Sequence, residues 1–365
     1  MNTQKILTQL KKWFRNPPKK AILILLGVTV LLGGGYLVYS TWINPLGPGL
    51  ELPESTPAPT EVAQATATRE PGDPTVTPGL TLTPTIKPVC GGPPTMTILV
   101  SGVASEKYLY GLADAVRVAR VDFQTQEVDV LALPRDLWVN IPGIADHGIE
   151  VGKLNQAYFY GTEGMAYYDG PGEGSGLLAR TLQENYGLRV DHYLAVNLAS
   201  FRQIIDAMGG IDVNLGQNVY RKEFGEPKLF LKAGQHHLDG KEAEMLARHR
   251  IEIGDYGRIS NQTIILKAVA AKMMSPSGLR ALPSMIDRLR NNVVTDLSPS
   301  QVSQLVCLAE RMDRGQDLNF VTLPSDLTEN ELVFDPSRGA NTAALVGDSQ
   351  KIRDLLLEFQ AGVWP

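Results

Sequence analysis

Residues 44–95 hold twelve of the chain's 24 prolines and ten threonines, with almost no large apolar side chains. Such a stretch cannot bury enough surface to offset its conformational entropy, so it is expected to run as an extended, partly polyproline-like stalk. At about 3.1 Å per residue its upper reach is on the order of 150 Å. Placed at residues 44–94, this linker confines the folding part of the 365-residue chain to the residues C-terminal of it.

The segment before the linker is different in kind. Ala21–Ile43 is uncharged and largely apolar. As a helix rising ~1.5 Å per residue, a run of that length crosses a ~30 Å hydrocarbon core. A cleaved signal peptide is the other reading, but no A-x-A-like site comes after it and the run is too long. Residues 1–20 carry Lys5, Lys11, Lys12, Arg15, Lys19 and Lys20 and no acid. The positive-inside rule places this tail in the cytoplasm and the chain beyond Ile43 outside. The expectation is a single-pass protein of the cell membrane: cytoplasmic tail 1–20, transmembrane helix 21–43, extracytoplasmic remainder. Without those six bases the net charge of −5 becomes −11 for the exported part, which argues against a nucleic-acid-binding surface.

The two cysteines, Cys90 and Cys307, fit one disulfide in an exported compartment, clamping the N-terminal edge of the domain to its C-terminal region. Two unpaired thiols are the alternative, and the spacing suits no metal finger.

From Thr95 onward the pattern reads strand, helix, strand. Met96–Val103, Asp114–Phe123 and Glu127–Pro134 read as strands, with a hairpin turn between the last two. Gly174–Gly187 reads as a helix closed by glycine, followed by the strand His192–Asn197, the helix Ala199–Gly210 and the strand Ile211–Leu215. Helices are expected at Gly240–Arg250 and Arg258–Met274 with the turn Ile251–Gly257 between them. Further on, helices are expected near Leu279–Arg290, at Ser298–Met312 and at Ser349–Gln360, with a strand at Leu318–Pro324. This grammar predicts an α/β fold, a three-layer α-β-α domain around a central mixed β-sheet. Residues 276–365 continue the domain begun at 95–275. Gly170–Gly176 lacks the ending of a phosphate-binding P-loop and is expected to be a flexible insertion.

Arg248–Gln262, "RHRIEIGDYGRISNQ", concentrates arginine on an acidic chain. Guanidinium is planar, always charged and suited to bidentate contact with phosphate oxygens. Arg258 and Gln262 are i,i+4 neighbours near a helix N-terminus, which itself favours anions. Arg248 and Arg250, two apart, reach one pocket only if the helix ends there. Arg135 emerges at a strand end, where α/β sheets bind ligands. Taken singly, Arg135–Asp136 reads as a turn pair and Lys153 as a solvated loop charge.

Taken in order, "TILVSGV", "ADAVRVARVDFQTQEVDVLALPRDLWVNIP", "GKLNQAYFYG", "VDHYLAVNLASFRQIIDAMGGIDVNL", "LDGKEAEMLARHR" and "DYGRISNQ" resemble the LytR–CpsA–Psr family of the bacterial cell envelope. The resemblance implies a phosphotransferase that moves a glycopolymer from an undecaprenyl-(pyro)phosphate carrier to peptidoglycan, assisted by Mg²⁺ or Mn²⁺. By motif matching it places the pyrophosphate on Arg135, Lys153, Arg248, Arg250, Arg258 and Gln262. Arg135 and Asp114 would be catalytic, and Asp114 would be the second of the family's two metal-ligating aspartates. The isoprenoid tail would lie in an apolar tunnel between sheet and helices, a place open to Phe201, Ile205 and Leu246, which equally suit core packing.

Three positions depart from the family's pattern. Ala104 stands where the first metal-ligating aspartate belongs, Leu112 replaces an arginine before Asp114, and Asn261 replaces an arginine after Arg258. Losing one of two carboxylates weakens a Mg²⁺ site, because the ion is held by one or two carboxylates plus substrate phosphate. Glu106, two residues beyond Ala104, is long enough to stand in. Two functions are compatible with this: an active transferase with an altered, weakly binding metal site, or a polyprenyl-pyrophosphate-binding envelope protein with little or no transferase activity. The family's historical name suggests a membrane-bound transcriptional regulator, but twenty cytoplasmic residues cannot fold into a DNA-binding domain.

Overall fold

The structure, a computed structural model, describes residues 39–52, 86–223, 226–249, 254–275, 293–313 and 317–364. The tail at 1–20 expected in the cytoplasm, most of the expected span at 21–43 and the helix expected near Leu279–Arg290 lie outside them. Residues 39–43 are helical, and among the described residues no helix is long and apolar enough to cross a membrane.

The domain opens with three consecutive antiparallel strands: β1 (Thr95–Val103), β2 (Ala113–Asp122) and β3 (Glu127–Leu133). A small ribbon, β4 (Trp138–Asn140) with β5 (Val151–Lys153), leads into helix α1 (Leu154–Tyr160) and then α2 (Glu173–Tyr186). Strand β6 (His192–Asn197) returns parallel to β1 and feeds α3 (Leu198–Ala207). The chain then builds an outlying lobe of β7 (Ile211–Leu215), β8 (Val219–Glu223), β9 (Glu226–Leu231), β10 (Gly234–Leu238) and α4 (Gly240–Ala247). Then come α5 (Gly254–Met273), β11 (Val293–Thr295), α6 (Pro299–Arg311), β12 (Leu318–Thr322), the hairpin β13 (Thr328–Asp335) and β14 (Ala340–Gly347), and α7 (Ser349–Ala361).

The central sheet runs β11-β6-β1-β2-β3-β12 and mixes parallel with antiparallel pairs. Strand β2 is buried along nearly its whole length, as a strand covered on both faces must be. Leu99, Val116, Val118 and Leu131 pack with α1, α2 and α7 on one face. Met96, Ile98, Ala119 and Val121 pack with α6 on the other, where α5 also lies across Arg117. This is a three-layer α-β-α arrangement with a mixed sheet. The lobe around Ile205, Leu215 and Leu246 forms a separate cluster against α5.

Two sequence expectations are corrected. The helix expected from Arg258 begins at Gly254, so Asp255 and Tyr256 belong to its first turn instead of a loop. Gly170–Gly176 is not a flexible insertion, since its second half is the first turn of α2, with Gly174, Ser175 and Gly176 buried. A Cβ on Gly174 would stand 2.6 Å from the Tyr158 carbonyl oxygen, so glycine is what lets α2 approach α1. Cys90 is disulfide-bonded to Cys307, with Cα atoms 5.8 Å apart, tying the segment preceding β1 to α6.

Candidate functional site

Strand register builds the core of the site. Val116 pairs with Leu133, so the antiparallel ladder carried two residues further sets Asp114 opposite Arg135. The Arg135 guanidinium donates to Asp114 Oδ1 and also faces Asp255 at 3.5 Å and Asp136 at 3.6 Å. Lys153, at the start of α1, meets Asp136 at 3.3 Å. Helix α5 brings in Arg258, only 1% exposed, which donates to Asp255 and lies 4.0 Å from Asp114. One turn later, Gln262 Nε2 donates to the carbonyl oxygens of Asp114 (3.3 Å) and Ala247 (3.4 Å), stitching β2, α4 and α5 together.

A pocket of about 860 Å³, counting its open mouth, lies beside this cluster. The ends of β1 and β6 wall it with Val100, Val103, Ala104, Val196 and Leu198, and the helices contribute Phe201, Ala247, Ile265 and Leu266. Its polar lining is Asp114, Arg117, Glu244, Arg248, Arg258 and Gln262 with Ser101 and Asn197. Of the tail candidates, Phe201 lines the pocket, whereas Ile205 and Leu246 are buried in the outlying lobe.

The sequence-predicted residues are therefore brought together in part. Asp114, Arg135, Arg258 and Gln262 form one contact network, and Lys153 joins it through Asp136. Arg248, the C-cap of α4, stands at the pocket's edge and donates to Glu244 Oε1 at 2.9 Å. Arg250 lies outside the described residues. Ala104 lines the pocket with a methyl group and donates its N–H to the Leu112 carbonyl. Asn261 is buried, and Glu106 is spent on Arg202 at 2.6 Å, away from any role beside Asp114. Arg202 in turn donates to Glu244.

Beyond the local Arg135–Asp136 pair, sequence reasoning missed the counter-charges. Asp136, Asp255 and Glu244 already neutralise the cations placed around the site, so an anion arriving here competes with resident carboxylates. It also missed Arg117, only 2% exposed at the centre of the sheet. Arg117 donates to the Ile259 carbonyl at 3.1 Å, Thr263 Oγ1 at 3.2 Å and Gln262 Oε1 at 3.5 Å. Arg135, Lys153, Arg248 and Arg258 each have a carboxylate within 4 Å, and among the described residues Arg117 has none. Burial disfavours its charged form and pushes its pKa down to about 10. Two arginines, Arg117 and Arg120, inside an otherwise apolar central strand, "AVRVARV", were the available signal. Replacing buried charge by apolar residues of similar volume is often neutral or stabilising when no charged partner is left behind, and Arg117 has no such partner among the described residues. Arg117→Met is accordingly expected to leave Tm unchanged or a few degrees higher in a thermal melt. A loss of ~3 kcal/mol would instead mean its bonds to α5 are structurally required.

The donor set bears on a divalent cation. Among the described residues no group of three or more His, Cys, Asp or Glu side chains converges on one point. In the pocket, Asp114 is the carboxylate beside Ala104, and it is held by Arg135. The pocket's other carboxylate, Glu244, is taken by Arg202 and Arg248, so Asp114 fits an ion shared with a ligand's phosphate oxygens, not one caged by protein groups.

Comparisons with known proteins bear on the family and the fold. The polyisoprenyl-teichoic acid–peptidoglycan teichoic acid transferase TagU of Oceanobacillus iheyensis is 33% identical over 213 residues, 58% of this chain and 62% of that relative, so the match spans less than two thirds of its length. The regulatory protein MsrR of Staphylococcus aureus strain COL is 26% identical over 266 residues, covering 72% of this chain and 75% of that one. The crystal structure of B. subtilis TagV superposes with a TM-score of 0.57 at 24% identity, over 73% of this chain and 97% of that one, a likeness of fold. Residues 88–348 match the LytR_cpsA_psr family, and with a match across most of its length this chain belongs to that family.

Proposed function

We propose that this protein is a membrane-anchored, extracytoplasmic phosphotransferase that moves a glycopolymer from a polyprenyl-pyrophosphate carrier to peptidoglycan. The observation that carries the proposal is an apolar pocket whose rim holds Arg258, Gln262, Arg248 and Asp114. Apolar walls beside convergent guanidinium groups suit an amphiphile with a hydrocarbon tail and a phosphate head. The transferase name of the TagU relative supports the same substrate class. The anchor is the apolar run at 21–43, with the N-terminus cytoplasmic.

Phosphoryl transfer needs positioning and charge neutralisation more than covalent chemistry from the protein. Arg258, fixed in the first turns of α5, presents its fork and the helix N-terminus to phosphate oxygens. Arg135 and Lys153 add charge from the sheet side and Arg248 from the end of α4, and Arg250, outside the described residues, is assigned to the same head group by its motif. A hydroxyl of the acceptor attacks the phosphorus that bears the glycan. A new P–O bond forms to the acceptor as the P–O bond to the carrier's remaining phosphate breaks. The hydroxyl proton leaves through the Asp114 carboxylate or solvent, and the carrier departs as a polyprenyl monophosphate. Asp114, with the phosphate oxygens, would hold Mg²⁺ or Mn²⁺, which would supply further positive charge when bound.

A second reading rests on Ala104 and the resident counter-charges: the pocket binds the carrier lipid and turns it over slowly or not at all. Ala104→Asp separates the two. It restores a second carboxylate, and metal-dependent transfer to peptidoglycan is expected to rise on the order of tenfold, the scale of changes around metal ligands. Carrier binding with no transfer in either protein would leave the binding-only reading standing.

A further inference from the structure

The proline- and threonine-rich stretch has both of its described ends fixed to the domain. On the side nearer the apolar run, Leu46 N–H donates to the Leu297 carbonyl at 3.3 Å, and the Tyr193 hydroxyl donates to the Pro48 carbonyl at 3.0 Å. Gly47 lies so close to β11 that a Cβ there would stand 2.7 Å from the Thr295 carbonyl oxygen. Leu50 and Leu52 pack against the main core. On the far side, Gln124 Nε2 donates to the Ile86 carbonyl at 2.6 Å and Val89 N–H to the Phe123 carbonyl at 2.8 Å, next to the Cys90–Cys307 bridge. Leu52 and Ile86, which flank residues 53–85, are therefore both held to the domain.

That arrangement changes what the stretch can do. Only Asn44 and Pro45 separate the helical residues 39–43 from the pinned Leu46, and three residue steps span at most about 10 Å. Tyr39, Trp42, Ile43 and Leu46 are exposed at this junction, at 61%, 50%, 43% and 38%. Aromatic residues at the end of an apolar run are the type that sits at the headgroup level of a bilayer.

We propose that the domain is seated directly on the outer surface of the bilayer through the face around Leu46 and Trp42, so that the proline- and threonine-rich stretch does not act as a spacer between anchor and domain. The proposal rests on the anchoring stated under Proposed function. Seating fixes the height and the orientation of the domain, so the pocket meets a carrier lipid presented at a constant depth.

Neutron reflectometry on the full chain in a supported bilayer tests this. Two proteins are compared: the natural chain and a variant with a thirty-residue Gly/Ser insert between Thr68 and Arg69. A flexible insert of that size has a root-mean-square span of about 30 Å, so a spacer would show it. Both domain layers are expected to begin within about 10 Å of the headgroups, at the same height. A natural chain standing more than about 20 Å off, or a layer that rises or broadens with the insert, would overturn the proposal while leaving the anchor intact. Carbonate extraction of the chain from the bilayer would remove the anchor reading, and the seating with it.

Discussion

Arg258→Ala is expected to lower glycan transfer to peptidoglycan by about 100-fold or more, the scale seen when one preorganised charge-stabilising donor is removed. Arg258 is almost wholly buried between Asp255 and Asp114, so the same change also leaves carboxylates short of a partner. Breaking a buried pair costs about 3 kcal/mol or more, softened here because Arg135 still faces Asp255 at 3.5 Å. A thermal melt separates the two effects: the variant remains folded at the assay temperature while turnover collapses. Arg258→Lys keeps the charge and loses the planar fork, and is expected to recover little of the rate. A Lys variant with near-natural turnover would mean that Arg258 acts as a point charge.

Removing the disulfide is expected to be the largest single change in stability. Cys90 and Cys307 close a span of 217 residues and join the chain before β1 to α6. Cross-links over long loops constrain the unfolded chain most, and losing one costs about 2–5 kcal/mol. At 2–4 °C per kcal/mol for a domain of this size, Cys90→Ser with Cys307→Ser is expected to lower Tm by roughly 5–15 °C. The pocket contains neither cysteine, so transfer well below the new Tm is expected to stay within about twofold, as for sites far apart with no shared partners. A double variant that melts like the natural protein would show that the surrounding contacts, such as Val89 N–H to Phe123 O, hold this edge alone.

The central strands were legible because β1, β2 and β3 are apolar on both faces, and burial of both faces leaves that mark in sequence. The hairpin β13–β14 was not, since Glu329, Asn330, Glu331 and Leu332 are all exposed and no face alternates. Gly170–Gly176 misled for a chemical reason: glycine that permits close helix packing and glycine that permits flexibility are the same residue. The start of the linker was not legible either. Proline content suggested an extended tether, yet Leu46, Leu50 and Leu52 are the apolar residues that hold its first part to the domain.

At the site, the cations could be picked out because motifs fix their spacing. Their neutralisation could not, because Asp136, Asp255 and Glu244 meet Lys153, Arg135, Arg258 and Arg248 through tertiary packing as well as through local spacing. Arg117 escaped for the opposite reason. A cation is costly inside a sheet covered on both faces, and no local rule anticipates one held there by Ile259, Thr263 and Gln262.

Turnover is the central claim, and one assay addresses it. The full-length chain in nanodiscs would be given a radiolabelled glycan on a polyprenyl-pyrophosphate carrier, peptidoglycan and Mg²⁺, and label attached covalently to peptidoglycan would be measured over time. The predicted result is attachment that depends on the protein, stops on chelation and falls at least about 100-fold in Arg258→Ala. Carrier binding by the natural chain with no covalent transfer, in Mg²⁺ or Mn²⁺ and in Ala104→Asp alike, would contradict it.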